Sequence, residues 1–128
     1  LVQALLERDD MMIGLVTGNM SKTAPIKLEM AGYDPAWFAV GAYGNESANR
    51  NDLPRLAIDR AQKLTNQVID GQHVIVIGDT QDDILCARSV GATAVAVCTG
   101  FTDRDKLICA DPDFLLADLS TFLDLVVV

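Results

Sequence analysis

The chain has 128 residues, half of them apolar, and its mean hydropathy is +0.24. This length and composition predict one compact domain with its own core and exclude a disordered chain. Ten basic against eighteen acidic residues give a net charge of −8, so neither nucleic acid nor a membrane surface is expected as a partner. Three cysteines without a CxxC spacing are typical of reduced thiols, and no apolar run reaches the ~20 residues of a membrane span, which together predict a cytoplasmic protein.

The first residues have the pattern of a helix that is already under way. Val2, Leu5 and Leu6 are spaced as on one helical face, and the chain begins with Leu1 rather than Met. We therefore expect this sequence to be part of a longer gene product.

Short apolar runs that end in Gly or Asn predict buried strands, and apolar residues at helical spacing between a capping residue and a glycine predict helices. In chain order these patterns predict a strand over 11–16, a helix over 21–31 capped by Ser21, a strand over 38–40, a polar loop over 41–51, a helix from Asp52 to Gly71, a strand over 73–77, a helix ending at Gly91, a strand over 93–97, a helix over 103–109, a strand over 113–116 and a helix over 120–125.

Uninterrupted apolar strands that alternate with helices predict parallel pairing, with helices covering both faces of the sheet. The predicted fold is therefore an α/β, doubly wound, Rossmann-like parallel sheet in a single domain over residues 1–128. Ligands of such sheets bind beyond the carboxyl ends of the strands, so the residues that follow each strand are the candidates for function.

Three carboxylates, Asp79, Asp82 and Asp83, lie within five residues at the end of the strand over 73–77. Clustered oxygen ligands suit magnesium, which takes one or two carboxylates and completes its octahedron with water and substrate oxygens. Helical spacing places Asp79 and Asp83 on one side and turns Asp82 away. The alternative is structural, with Asp79 or Thr80 capping the next helix and the other carboxylates favouring its positive end.

A second candidate site follows the first predicted strand. The Thr17 hydroxyl and the amides of Gly18 and Asn19 form the kind of turn that binds phosphate near a helix N-terminus, although Thr17 could instead only cap the loop. Arg50, in the polar loop ahead of a helix, is a candidate for the cation that phosphoryl transfer needs, and two other residues compete for this role, Lys22 and Lys27. His73 lies at the amino end of its strand and is not expected to be catalytic.

The order and spacing of these segments resemble the haloacid dehalogenase (HAD) superfamily, in particular its phosphoglycolate-phosphatase-like hydrolases. The family's second motif is matched by IGLVTGN and its fourth, the acidic GDxxxD motif, by IGDTQDDILCAR. Its third-motif Lys or Arg corresponds to the position of Arg50 in NRNDLPRLAI, and its last strand and helix resemble ADPDFLLADLSTFLDL. The resemblance covers nearly the whole chain.

The resemblance implies a role for each candidate residue. Thr17 would hydrogen-bond the phosphoryl oxygen, and Arg50 would neutralise it and orient the nucleophile. Asp79 would bind magnesium directly, and Asp83 would assist through water or by fixing the basic residue. These roles suit phosphoryl transfer, which needs mainly positioning and charge stabilisation around an in-line attack.

The family's first motif is DxDx[T/V] after an apolar strand, and it contains the nucleophilic Asp and the general acid/base Asp of the family. This motif is not found in the present sequence. The DxD of Asp111-Pro112-Asp113 precedes its apolar run, and its proline would remove a backbone donor. In the family the missing strand lies mid-sheet, between the strands over 11–16 and 73–77. We therefore expect an upstream segment, with this strand and a cap, to belong to the functional protein, and the chain alone to be inactive.

The function implied is that of a magnesium-dependent phosphatase of a small phosphorylated metabolite, acting through an aspartyl-phosphate on an Asp outside this chain. The alternatives are a catalytically degenerate HAD-like module that only binds ligand, or a phosphomutase or dehalogenase of the same family. Strand edges left without neighbours make self-association a further expectation.

Overall fold

The computed structural model describes residues 1–125, and five short parallel strands alternate there with helices, which confirms the predicted α/β class. The elements are α1 (Val2–Leu6), β1 (Gly14–Thr17), α2 (Ala24–Met30), β2 (Val40–Tyr43), α3 (Leu53–Thr65), β3 (Ile75–Gly78), α4 (Gln81–Ser89), β4 (Thr93–Val97), α5 (Arg104–Cys109) and β5 (Phe114–Leu116), with 3-10 segments at Pro35–Trp37, Arg50–Asp52, Gly71–His73 and Leu119–Leu125. None of the helices between residues 1 and 125 is both long and apolar enough to cross a membrane.

The described residues form two compact units, each with a parallel sheet of its own. In the amino-terminal unit, Val2–Val68, strand β1 pairs with β2. In the carboxyl-terminal unit, residues 69–125 with Leu1, the strand order is β3-β4-β5. Within residues 1–125, β1 and β3 each pair along one edge only. The expectation of a single domain stays a prediction.

The core of the amino-terminal unit lies between helix α3 and the two strands. Ala42 of β2 is fully buried against Leu53 and Ala57 of α3, and Val16 and Leu56 pack against them. The helix ends earlier than the predicted stop at Gly71. Because Asn66 adopts a left-handed conformation with φ 55°, the chain leaves the helix after Thr65.

The core of the carboxyl-terminal unit is built on β4, whose bounds agree with the prediction. Residues 94–97 of this strand are buried, since β4 has a neighbour along each edge and α4 packs on it. Strand β3 differs from the prediction of a buried strand, because Ile75 and Ile77 remain 38% and 36% exposed. Among residues 1–125, β3 pairs with β4 alone, so it lacks the second neighbouring strand that β4 has.

Two boundaries in the amino-terminal unit also differ from the prediction. The Ser21 amide donates to Asn45 Oδ1 at 2.7 Å, which holds Ser21 in a turn, and α2 begins only at Ala24. Strand β2 extends to Tyr43, into the segment predicted as a loop, because it follows the pairing register of β1. The pairing partner, rather than local β-propensity, sets the ends of such a short strand.

Candidate functional site

The turn after β1 is organised around the Thr17 hydroxyl. Thr17 Oγ1 accepts two hydrogen bonds from Asn19, one from the backbone N at 3.1 Å and one from the side-chain Nδ2 at 3.0 Å. The Asn19 amide predicted to bind phosphate is thus already engaged with Thr17. The Thr17 hydroxyl hydrogen and the Gly18 N–H are the donors of this turn that have no hydrogen-bond acceptor among residues 1–125.

The loop after β2 is docked on this turn through backbone contacts. Gly44 N donates to Asn19 O at 2.9 Å. A Cβ on Gly44 would overlap the carbonyl of Gly18, so the close approach of the two loops requires glycine at position 44. The carboxyl ends of the two paired strands therefore form one continuous backbone surface.

Two of the three candidate cations lie at this surface. Arg50 begins a 3-10 turn ahead of α3, and a Cβ built on Gly18 would lie 3.5 Å from Arg50 Nη1. The Arg50 Nε is buried without a hydrogen-bond acceptor among the described residues, while the residue makes another interaction. Lys27 Nζ donates to Asn19 Oδ1 at 2.7 Å. Lys22 is exposed and makes no hydrogen bond or ion pair within residues 1–125.

An ion pair that the sequence did not reveal braces the loop leading to Arg50. Arg60 Nη1 donates to the carbonyl of Gly41 at 2.6 Å and to Glu46 Oε1 at 2.8 Å, and Arg60 Nη2 donates to Glu46 Oε2. Glu46 Oε1 also accepts from Tyr43 N at 3.1 Å. The hydrogen bonds from Arg60 hold the pKa of Glu46 below its ordinary value, so this carboxylate stays charged at neutral pH.

In the carboxyl-terminal unit, Asp83 organises the turn between β3 and α4. Asp83 Oδ2 accepts from Asp79 N at 3.0 Å, from Thr80 N at 3.0 Å and from Thr80 Oγ1 at 2.9 Å. Thr80 Oγ1 in turn accepts from Asp83 N at 3.3 Å, which completes a capping box. The structural role weighed for this segment is therefore present: Thr80 caps the helix and Asp83 closes the turn. Asp82, in the first turn of the same helix, is exposed.

Asp79 is the carboxylate of this turn that is left for a ligand. It is half-buried, and no described residue donates a hydrogen bond to its side chain. A Cβ on Gly100, in the loop after β4, would overlap the Asp79 carboxylate, so the glycine makes room for it. Within the described part of the chain no group of three His, Cys, Asp or Glu residues is arranged to hold a metal.

Magnesium is compatible with this donor set. The ion needs only one or two carboxylates and takes its remaining oxygens from water and substrate. Asp79 offers a carboxylate oriented next to a glycine, and Asp83 orders the backbone on which Asp79 sits.

The DxD sequence before β5 has a structural role in the carboxyl-terminal unit. Asp113 Oδ2 accepts from Ala94 N at 2.7 Å and from Arg88 Nη1 at 2.9 Å. The hydrogen bond from Ala94 and then that from Arg88 hold the pKa of Asp113 below its ordinary value of 3.8. Asp113 thus forms an ion pair with Arg88, and its exclusion as a nucleophile stays a prediction.

Known hydrolases and phosphatases are similar to this chain in sequence and in fold. A family profile described as HAD-hydrolase-like matches residues 51–122. A phosphoglycolate phosphatase of Vibrio cholerae is 26% identical over 96% of this chain and 53% of its own length. One of Synechococcus elongatus is 47% identical over 41% of this chain and 25% of its own length. A solved structure, titled a predicted phosphoglycolate phosphatase from Haemophilus somnus, has a TM-score of 0.80 at 21% identity, covering 98% of this chain and 54% of that one.

The chain belongs to the family of HAD-like hydrolases, since the profile match spans more than half of it. Within that superfamily it is similar to the phosphoglycolate phosphatases, and its fold is the Rossmann-like α/β fold of the solved relatives. The chain spans about half the length of the relatives that it matches over nearly all of its own sequence.

Proposed function

We propose that the complete protein is a magnesium-dependent phosphatase of a small phosphorylated metabolite. The observation that supports this most directly is the surface formed by the turn after β1 and the loop after β2. This surface contains the Thr17 hydroxyl, the Gly18 N–H and the Arg50 guanidinium, whose Nη1 is 3.5 Å from a Cβ built on Gly18, at the carboxyl ends of parallel strands where such folds bind ligands.

Thr17 and Arg50 have the chemistry required to bind the phosphoryl group. The Thr17 hydroxyl donates to a phosphoryl oxygen, and the Gly18 N–H adds a second donor at the same turn. Arg50, whose Nη1 lies over Gly18, offsets the negative charge of the phosphoryl oxygens as they move in the transition state. Because the loops are fixed by backbone contacts, these donors are positioned before the substrate binds.

Asp79 is the residue we assign to hold magnesium, with Asp83 as its support. Asp83 Oδ2 binds the backbone N of both Asp79 and Thr80, which fixes the direction in which the Asp79 side chain leaves the turn. Bound magnesium would supply a Lewis acid that neutralises phosphoryl oxygens. This support of Asp79 differs from the two roles that the family resemblance implied for Asp83, assistance through water and fixing of the basic residue.

The nucleophile we propose is an aspartate outside these 128 residues. Its carboxylate displaces the leaving alcohol from phosphorus, and water then attacks the aspartyl-phosphate to release inorganic phosphate. Because several relatives are phosphoglycolate phosphatases, phosphoglycolate is the first substrate to test.

The test uses the complete gene product that contains this chain. Hydrolysis of p-nitrophenyl phosphate and phosphoglycolate is measured with magnesium and with EDTA. Arg50→Ala is expected to lower kcat/KM by about 100-fold or more, the usual effect of removing a group that stabilises transition-state charge. Lys22→Ala, which removes the same charge from an exposed position, is the matched control and is expected to change kcat/KM less than about twofold.

Two results would contradict the proposal. Turnover that persists in EDTA would exclude the role of magnesium, and equal losses from the two substitutions would exclude the role of Arg50. Magnesium binding without turnover of any phosphate ester would instead identify a ligand-binding protein that has lost its activity.

A further inference from the structure

The Asn19 side chain joins Lys27 to Thr17 within the amino-terminal unit. Lys27 Nζ is 2.7 Å from one terminal atom of the Asn19 amide, and Thr17 Oγ1 is 3.0 Å from the other. The ammonium of lysine has three donors and no acceptor, so the amide atom that faces it must be the oxygen. Lys27 therefore fixes which way the Asn19 amide is turned.

This orientation determines what the Thr17 hydroxyl can do. With Oδ1 facing Lys27, Asn19 presents its NH₂ group to Thr17, and the Asn19 backbone N–H points to the same oxygen. A hydroxyl has two acceptor positions and one hydrogen. Both acceptor positions are filled by Asn19, so the hydrogen can only be donated away from this turn.

We propose that Asn19 and Lys27 are positioning residues that make Thr17 a dedicated donor to an anionic oxygen. The proposal rests on the phosphate site proposed above and deepens it, because it explains how one hydroxyl is kept in the donor state before the ligand binds. Without Lys27 the amide can rotate by half a turn, and Thr17 can then donate to Asn19 Oδ1 instead of to the ligand. Lys27 acts through Asn19, which distinguishes it from Arg50 at the Gly18 side of the turn.

The experiment is a double-mutant cycle that measures the binding of inorganic phosphate by calorimetry, in the complete protein. Thr17→Val removes the hydroxyl and keeps the shape, and it is expected to weaken binding about tenfold or more, as for the loss of a hydrogen bond to a charged group. Asn19→Ala is expected to weaken binding about fivefold when Thr17 is present and less than about twofold in the Thr17→Val background. A purely structural role of Asn19 would lower the affinity by the same factor in both backgrounds and would overturn the proposal.

Lys27 is tested against the neighbouring exposed lysine. Lys27→Met is expected to weaken phosphate binding about as much as Asn19→Ala, and Lys27→Arg, which keeps a donor without an acceptor, is expected to restore most of the affinity. Lys22→Met removes the same charge and is expected to have less than about a twofold effect at constant ionic strength. Equal effects of the two Met substitutions would show that only net charge matters and would overturn the role of Lys27.

Failure of the proposed function is distinguishable from failure of this inference. A protein that binds phosphate with the expected coupling but hydrolyses no ester supports the inference and contradicts the phosphatase proposal. A protein that hydrolyses esters but shows independent effects of Asn19→Ala and Thr17→Val contradicts the inference alone. Absence of phosphate binding would overturn the inference, whereas the phosphatase proposal is decided by the turnover of esters.

Discussion

Replacing Asp83 by alanine tests whether this carboxylate closes the turn between β3 and α4. The substitution removes the acceptor of three hydrogen bonds, from the backbone N of Asp79, the backbone N of Thr80 and the hydroxyl of Thr80. Hydrogen bonds to a charged group contribute about 1.5–3 kcal/mol each when they are buried, but this turn is only half-buried and water replaces part of the loss. We expect the free energy of unfolding to fall by about 2 kcal/mol, similar to the larger effects of losing a helix cap.

Asp82→Ala is the matched control, because it removes the same group one residue earlier in the first turn of α4. Asp82 is exposed and forms no hydrogen bond or ion pair within residues 1–125, so only its interaction with the helix dipole, about 0.5 kcal/mol, is lost. Both variants are unfolded in urea and followed by far-ultraviolet circular dichroism. Equal destabilisation by the two substitutions would refute the capping role assigned to Asp83.

Three further predictions follow from other contacts. Asp113→Asn is expected to destabilise the protein at neutral pH. Because folding lowers the pKa of Asp113, the charged carboxylate stabilises the fold above pH 3.8, and this stabilisation is lost as the pH falls further. The urea denaturation curves of the wild type and the variant should therefore converge in acid. Gly44→Ala is expected to lower the unfolding free energy by about 2 kcal/mol, because its Cβ would overlap the Gly18 carbonyl. Gly18→Ala is the control: its Cβ would make an ordinary 3.5 Å contact with Arg50 Nη1, so the unfolding free energy should change by less than about 0.5 kcal/mol in the same assay. Gly100→Ala would displace the Asp79 side chain, which can rotate away from the new methyl group, so we expect unchanged stability but about tenfold weaker magnesium binding, measured by calorimetry. Unchanged magnesium binding would contradict the assignment of Asp79 as a ligand.

The sequence predicted the type of every strand, but the ends of the elements depended on tertiary contacts. Strand β4 has the predicted bounds because its uninterrupted run of valine and alanine, 94–97, coincides with the part that β3, β5 and α4 bury. Strand β2 was placed too early, since its glycine and alanine have low β-propensity and only pairing with β1 makes them a strand. The helix α3 ends early because Asn66 adopts a left-handed conformation, whereas the sequence had suggested Gly71 as the helix stop.

Candidate site residues could be predicted where a hydroxyl, a guanidinium or a carboxylate follows a strand, because each of these groups has a known use in binding phosphate or a metal ion. Thr17, Arg50 and Asp79 were singled out in this way, and their roles stay predictions. The hydrogen bond between Lys27 and Asn19 could not be predicted, because contact between a turn and a residue in the last turn of α2 depends on how that helix lies against the strand. Glycines 44 and 100 were missed for a similar reason, since each is required by a backbone or carboxylate brought close by another loop.

The strand pairing described above also has a consequence for how the chain acquires its structure. Each described pair joins strands that are consecutive along the sequence, β1 with β2, β3 with β4 and β4 with β5. Each pair closes one crossover connection, and pairing between consecutive strands keeps the sequence separation of these contacts lower than pairing between distant strands would. Each described strand pair therefore lies within one of the two units. During synthesis the β1–β2 pair and its covering helix can assemble as soon as residues up to Thr65 have left the ribosome, before β3 has emerged from it.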